Sequence, residues 1–283
     1  MAILSALLGA TATSFQPELV HIACLSPVTM VVTMSSSDTS PVRMGGLKPQ
    51  QQQHALMDKI AIFCGPMAQL LFFLFLPASL NLPPVSPSLT PEQTAYHYVY
   101  NEKGMKGGIT LMLLTGAIWP IFCAGVNRQL SKIPGVSHTA LWGQLAAGCL
   151  GSLSMMLPSI FFSAVIYRLD RDPVLTQMLS DLAWFVYAMG FPPFIGQDLM
   201  VSYAILSDKR PEPLIPHWVA WVMSGLTLTL YPALAVHCVK SGPFTWNGAL
   251  GFWIGAVGFG GQVGILVFFL LKAHAKPDPE PEQ

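Results

Sequence analysis

Six long apolar stretches, at 60–80, 109–126, 141–167, 178–206, 215–239 and 246–271, constrain this chain more than any other feature. The hydrocarbon core of a bilayer takes about 20 residues of helix, and a single β-strand needs far fewer. In lipid every backbone N–H and C=O must be satisfied internally, which leaves helices for runs of this length. Each run is bounded by charge, Pro or Gly. The expected fold class is therefore all-α, a polytopic membrane helix bundle with six transmembrane helices. A seventh candidate at 19–34 is weaker: it is short, contains Pro27 and His21, and follows Glu18. It reads as an interfacial segment before it reads as a span.

Composition closes off the other classes. Only 10% of the 283 residues are charged, and the mean hydropathy is +0.52. Soluble domains carry about 25% charged residues, so a soluble enzyme, a nucleic-acid binder and a disordered protein are all excluded. The 14 Lys and Arg cancel the 14 Asp and Glu, so no net charge calls for an acidic or basic partner. The partners implied are the lipid bilayer and a lipophilic small molecule, with no nucleic acid. The five cysteines show no C-x-x-C and no zinc spacing, and Cys64, Cys123, Cys149 and Cys238 read as small hydrophobes in or beside apolar runs.

Three segments follow: a disordered or interfacial arm over 1–56, the bundle over 57–272, and a disordered tail over 273–283. The arm is rich in Ser, Gln and Gly around 35–54, and the tail alternates Pro with acids. With six spans, nine basic residues fall on the side of the termini (Arg43, Lys48, Lys59, Arg128, Lys132, Lys209, Arg210, Lys272, Lys276) and five on the other (Lys103, Lys106, Arg168, Arg171, Lys240). The positive-inside rule places both termini in the cytosol, and an endomembrane is the expected location. In the longest loop, Thr90-Pro91-Glu92-Gln93 has the form of a helix N-terminus, predicting a short helix from 91 to about 101. Its Tyr96, Tyr98 and Tyr100 suit a helix at headgroup level or a lid over a cavity.

Pro120, Pro158, Pro192-Pro193 and Pro232 interrupt four of the six spans and free carbonyls that must meet protein or a wet cavity. Gly143, Ala147 and Gly151, with Gly251, Gly255, Gly260 and Gly264, have the small-xxx-small spacing of close helix packing.

Ionisable residues inside spans are costly, and so are the first functional candidates. Asp198 stands deep in the fourth span with no basic residue in its own helix. It is the leading candidate for a catalytic proton donor, with Gln262, His237 or a freed carbonyl as its hydrogen-bonding partners if it is structural. Asp181 lies nearer the start of the same span and is the second candidate. The aromatic residues Trp119, Trp184, Trp221 and Trp253 fall deep, whereas Trp142, Trp218 and Trp246 fall at span ends. Aromatic faces stabilise cations where no anion is wanted, which makes Trp184, Phe191, Phe194, Trp221 and Trp253 the candidate substrate-binding set. Asp170-Arg171-Asp172 is a formal Asp-x-Asp, but beside two arginines it reads as a solvated ion-pair cluster. No cofactor-binding, metal, P-loop or nucleophile-elbow motif is legible.

Asp181-Leu182-Ala183-Trp184, Phe191-Pro192-Pro193-Phe194 and Gly242-Pro243-Phe244-Thr245-Trp246-Asn247-Gly248 resemble a family of small, mostly uncharacterised multi-pass proteins, over roughly 165 residues from the second span onward. In size and general character the chain also resembles the integral-membrane terpene cyclases of fungal meroterpenoid pathways, including the ascochlorin type. That resemblance implies acid-triggered, metal-independent cyclisation of a lipophilic epoxide or polyene. The expected function is accordingly a membrane terpene cyclase. A small-solute transporter and a non-catalytic scaffold are the alternatives.

Overall fold

The computed structural model describes residues 49–276. The candidate span at 19–34, most of the arm, Cys24 and the end of the tail lie outside the described residues. The helices are α1 (Pro49–Ala78), α2 (Pro91–Tyr100), α3 (Glu102–Leu130), α4 (His138–Tyr167), α5 (Pro173–Met189), α6 (Pro192–Leu206), α7 (His217–Thr227) and α8 (Ile254–His274). A 3-10 segment, Leu228–Cys238, continues α7, and a π-helical turn, Ala249–Trp253, leads into α8. Six helical stretches are long and apolar enough to cross a membrane, with α5 and α6 together making the fourth and α7 with its 3-10 continuation the fifth. Over the described residues the fold is the expected all-α bundle with six stretches able to cross a membrane.

Neighbouring spans pack in chain order: α1 on α3, α3 on α4, α4 on α5 and α6, α6 on α7, and α7 on α8. Contact of α8 with α1 then closes the ring. Small residues let these backbones approach. A Cβ on Gly151 would lie 2.7 Å from the Phe194 ring, and one on Gly148 would collide with Cys123 and Gln197. These two positions are where α4 admits the site described below. Gly260 and Gly264, by contrast, have open space beside them. Their spacing marks no helix contact here.

Three local expectations change. The Gln50–Gln53 run is helical: α1 begins at Pro49, so the polar glutamines extend the first helix below its apolar part. The α2 helix forms with the capping box at Thr90 and Gln93, but its tyrosines divide. Tyr96 and Tyr100 are exposed and stack on each other, whereas Tyr98 is buried and shares a 2.7 Å hydroxyl hydrogen bond with Ser180 of α5. Trp246 is no belt residue: it is buried and its Nε1–H donates to the Val85 carbonyl at 2.7 Å, pinning the long loop. Trp142 and Trp218 are exposed at span ends, as expected.

Pro192-Pro193 splits the fourth span into two helices. Neither proline has an N–H to donate, and α5 stops at Met189 with Gly190 and Phe191 between the two. The break turns Phe194, Gln197 and Asp198 of α6 inward.

Candidate functional site

The interior of the bundle has two chemically distinct parts. Toward the α2 end, Phe72, Phe75, Phe162, Trp184 and Tyr187 form one aromatic cluster, with Phe72 stacked on Tyr187 at 4.7 Å and Phe162 edge-on to Trp184 at 5.2 Å. Trp184 is fully buried there. Nearer the middle, α3, α6, α7 and α8 surround a cavity of about 20 Å³. Trp119, Phe122, Phe194 and Phe259 form its aromatic wall, and Val201, Met223, Val263 and Leu266 its aliphatic one. Gln197, Asp198 and Gln262 are its polar side chains.

Asp198 is 2% exposed. Its Oδ1 accepts a 2.7 Å hydrogen bond from Gln262 Nε2–H, which also donates to Thr227 Oγ1 at 3.1 Å. The Ser224 and Thr227 hydroxyls of α7 stand beside the carboxyl. Ser224 donates to Ser202, and Ser202 to the Ala220 carbonyl, so polar side chains stitch α6 to α7. Among the described residues Oδ2 of Asp198, Oε1 of Gln262 and Nε1 of Trp119 are buried without a hydrogen-bond partner. Of the partners foreseen for Asp198, Gln262 is the one present; His237 is exposed in the 3-10 segment and contacts Cys238 instead.

A second polar string starts from the neighbouring residue. Gln197 Nε2–H reaches Cys123 Sγ at 3.3 Å, and Gln144 Nε2–H donates to the Cys123 carbonyl at 3.2 Å and to Asn127 Oδ1 at 3.3 Å. It climbs toward the end of the bundle where Arg128 pairs with Asp58.

The candidate residues are not brought together as a set. Asp198 and Phe194 line the cavity. Phe191 packs behind them, 6.1 Å from the Phe259 ring. Trp184 belongs to the separate aromatic cluster. Asp181 is half-buried on α5, under the influence of Lys240, and does not line the cavity. Trp221 is 69% and Trp253 37% exposed; both face outward and neither lines the cavity. Trp221 and Trp253, expected deep, stand one turn inside the start of their spans, and rotation about the helix axis was not legible. The Asp-x-Asp match resolves into a helix cap: Asp172 Oδ1 accepts from Val174 N–H at 2.8 Å, and Arg171 donates to the carbonyls of Arg168 and Ala164. The cysteines Cys64, Cys123, Cys149 and Cys238 are free thiols, with Cys238 exposed.

Two features escaped the sequence reading. Trp119 was recognised as deep but not as a wall of this cavity. Asp208, just beyond α6, is as buried as Asp198 yet fully satisfied. It accepts from Arg210 Nε–H at 2.8 Å, Arg210 Nη2–H at 2.6 Å, and the Leu214 and Arg210 backbone N–H groups at 2.7 and 3.2 Å. Burial alone pushes its carboxyl up, but these bonds and the guanidinium charge outweigh it and hold the group at about 2. The only sequence signal was a carboxyl two residues before an arginine.

Over the described residues, the fold and interior define a polytopic helix bundle with six stretches able to cross a membrane and one carboxyl lining its central cavity. Compared with protein-family models, with curated proteins and with solved structures, the chain gives no match.

Proposed function

We propose that the protein is a membrane-embedded terpene cyclase, an acid catalyst that protonates and cyclises a lipophilic, epoxide-bearing polyene. The observation that carries the reading is the Asp198 carboxyl, with one oxygen unpartnered, facing a cavity walled by Trp119, Phe122, Phe194 and Phe259. Asp198 gives its proton to the epoxide oxygen. The C–O bond breaks, its electron pair stays on oxygen, and a hydroxyl forms. The adjacent alkene supplies its π pair to the carbon centre to make the new C–C bond, and the final cation loses a proton that restores the acid. The aromatic faces stabilise the cation without offering it a nucleophile.

The size of the cavity sets a condition. About 20 Å³ admits one water-sized group, whereas pockets for ligands of this class run to roughly 300 Å³ or more. Substrate entry therefore requires the spans around the cavity to part. The break between α5 and α6, the 3-10 continuation of α7 and the π-helical turn before α8 are places where helical hydrogen bonding is already interrupted or altered. Both termini in the cytosol of an endomembrane complete the proposal, on the bias of basic residues.

The test is turnover of an epoxidised farnesyl-phenol in microsomes, followed by chromatography. Asp198→Asn keeps the shape and the Gln262 bond but removes the acid, and product should fall at least about a hundredfold at unchanged protein level. Phe194→Leu should change the product distribution. Asp181→Asn should leave turnover within about twofold, since that residue is away from the cavity. Near-normal turnover by folded Asp198→Asn would overturn the proposal. Proton-linked transport of a small solute is the second reading, favoured by the Gln197–Cys123–Gln144–Asn127 string. Solute uptake into proteoliposomes driven by a pH gradient, without any cyclised product, would select it.

A further inference from the structure

We infer that the central cavity is a site for a single oxygen atom, bound jointly by Trp119, Asp198 and Gln262, which a water occupies in the unliganded protein and the oxygen of a ligand takes over.

Three side chains that line the same cavity each carry a polar atom without a partner among the described residues: Trp119 Nε1–H, Asp198 Oδ2 and Gln262 Oε1. They come from α3, α6 and α8. The three residues are 2%, 2% and 7% exposed, so bulk water does not satisfy them. Leaving three such groups unpaired is expensive in an apolar interior. The cavity of about 20 Å³ exceeds the roughly 10–15 Å³ that one water needs, and buried waters make about three hydrogen bonds.

The donor and acceptor pattern fits water in either protonation state of the acid. With Asp198 ionised, water accepts from Trp119 and donates to the carboxylate and to Gln262. With Asp198 protonated, water accepts from Trp119 and from the acid and donates to Gln262. A bare cation fits less well, because the indole N–H would point its positive end at the ion.

The same pattern discriminates among ligand oxygens. An ether or epoxide oxygen can accept from Trp119 and the acid but leaves Gln262 Oε1 unpaired. A hydroxyl satisfies all three when Asp198 is protonated, accepting from Trp119 and the acid and donating its one hydrogen to Gln262. On the proposed reaction, on which this part of the inference rests, the epoxide oxygen becomes a hydroxyl as the C–O bond breaks. The site therefore completes its pairing with the hydroxyl once the proton lost by the final cation has returned to Asp198, and it favours the alcohol over the epoxide. Trp119 and Gln262 are then a second donor and an acceptor for the reacting oxygen, and Gln262 also orients Asp198 through its 2.7 Å bond.

The test uses the full chain in lipid nanodiscs and an experimental density map fine enough to show ordered water. One peak within about 2.7–3.2 Å of Trp119 Nε1, Asp198 Oδ2 and Gln262 Oε1 is expected. Trp119→Phe keeps the ring and removes the N–H, and Gln262→Met keeps the length and removes the acceptor. Each should lose or displace the peak, and each should lower turnover by about tenfold while Phe122→Leu, which removes no polar atom, retains the peak. An empty cavity in the wild type, or a peak unmoved in both variants, would overturn the inference. Should one variant fail to fold, the wild-type map and the other variant decide. The water site is read from density alone, so its failure is separable from failure of the cyclase proposal, which shows as absence of product from a wild type whose peak is present.

Discussion

Two aspartates ten residues apart, both almost fully buried, have opposite surroundings. Asp198 on α6 accepts a hydrogen bond from a neutral amide, has the Ser224 and Thr227 hydroxyls beside it, and keeps one oxygen without a partner. Asp208, just past the end of α6, accepts four, two of them from the guanidinium fork of Arg210. Their exposed areas are alike although Asp208 lies nearer the surface, so exposed area does not decide what a carboxyl does. Its partners do. A charge matched by a bidentate cation and backbone N–H groups is fixed in place and closes the α6–α7 loop; His217 adds a bond to the Asp208 carbonyl at 2.8 Å. A carboxyl met only by amides and hydroxyls keeps proton exchange open, which is the property a catalytic or transport site needs.

The largest effect that would sharpen this contrast is expected at Arg210. Arg210→Ala leaves the Asp208 carboxylate buried without its cation and should cost about 3 kcal/mol, read as thermal unfolding in detergent. A loss under about 1 kcal/mol would mean that Asp208 is solvated and that the contrast fails. Acid comes next. Asp208 is held at about 2, below its ordinary 3.8. A depressed carboxyl contributes stability fully above about pH 4, and that contribution fades as pH falls toward about 2. The stability gap between wild type and Asp208→Asn should therefore be constant near neutrality and close across that acid window. A gap independent of pH would contradict the pairing.

Gln262→Leu removes the amide that bridges Asp198 and Thr227 and should destabilise by about 1–2 kcal/mol. Asp198→Asn should cost the fold least, under about 1 kcal/mol, because the Gln262 bond survives and no charge loses a partner. The comparison predicts a crossing. Asp198→Asn spoils activity and spares the fold, while Arg210→Ala spoils the fold. A result in which Asp198→Asn unfolds the protein as readily as Arg210→Ala would make both aspartates structural.

How much of this was legible beforehand follows from what each signal depends on. Pro91 after Thr90 marks the start of α2, and the Pro192-Pro193 pair marks the break in the fourth span, because capping and the missing N–H are properties of neighbouring residues. The depth of Asp198 could be counted from the ends of its run. Which way a tryptophan faces could not. Trp221 and Trp253 lie one turn inside the start of their spans and face outward, while Trp119 lies mid-span and lines the cavity. In a soluble helix the apolar stripe identifies the inner face. In a bundle surrounded by lipid both faces are apolar, so the pattern that would tell inside from outside is erased.

The sequence by itself determined that the chain is helical, that it has six stretches able to cross a bilayer, that the fourth breaks at Pro192-Pro193, and that Asp198 is the deep carboxyl; α3 and α4 run unbroken through Pro120 and Pro158. What the sequence determined rests on hydropathy, chain length and local backbone chemistry, which act within a few turns. Only the tertiary structure decided that Gln262, 64 residues away, bonds Asp198, and that Trp119 reaches the same cavity from α3. It also separated Trp184 and Asp181 from that cavity and paired Asp208 with Arg210. Those outcomes depend on the rotation of each helix about its axis and on which helices meet. Rotation and pairing are set by the packing of small residues such as Gly148 and Gly151 against particular side chains, a property of two surfaces together that neither stretch of sequence carries alone.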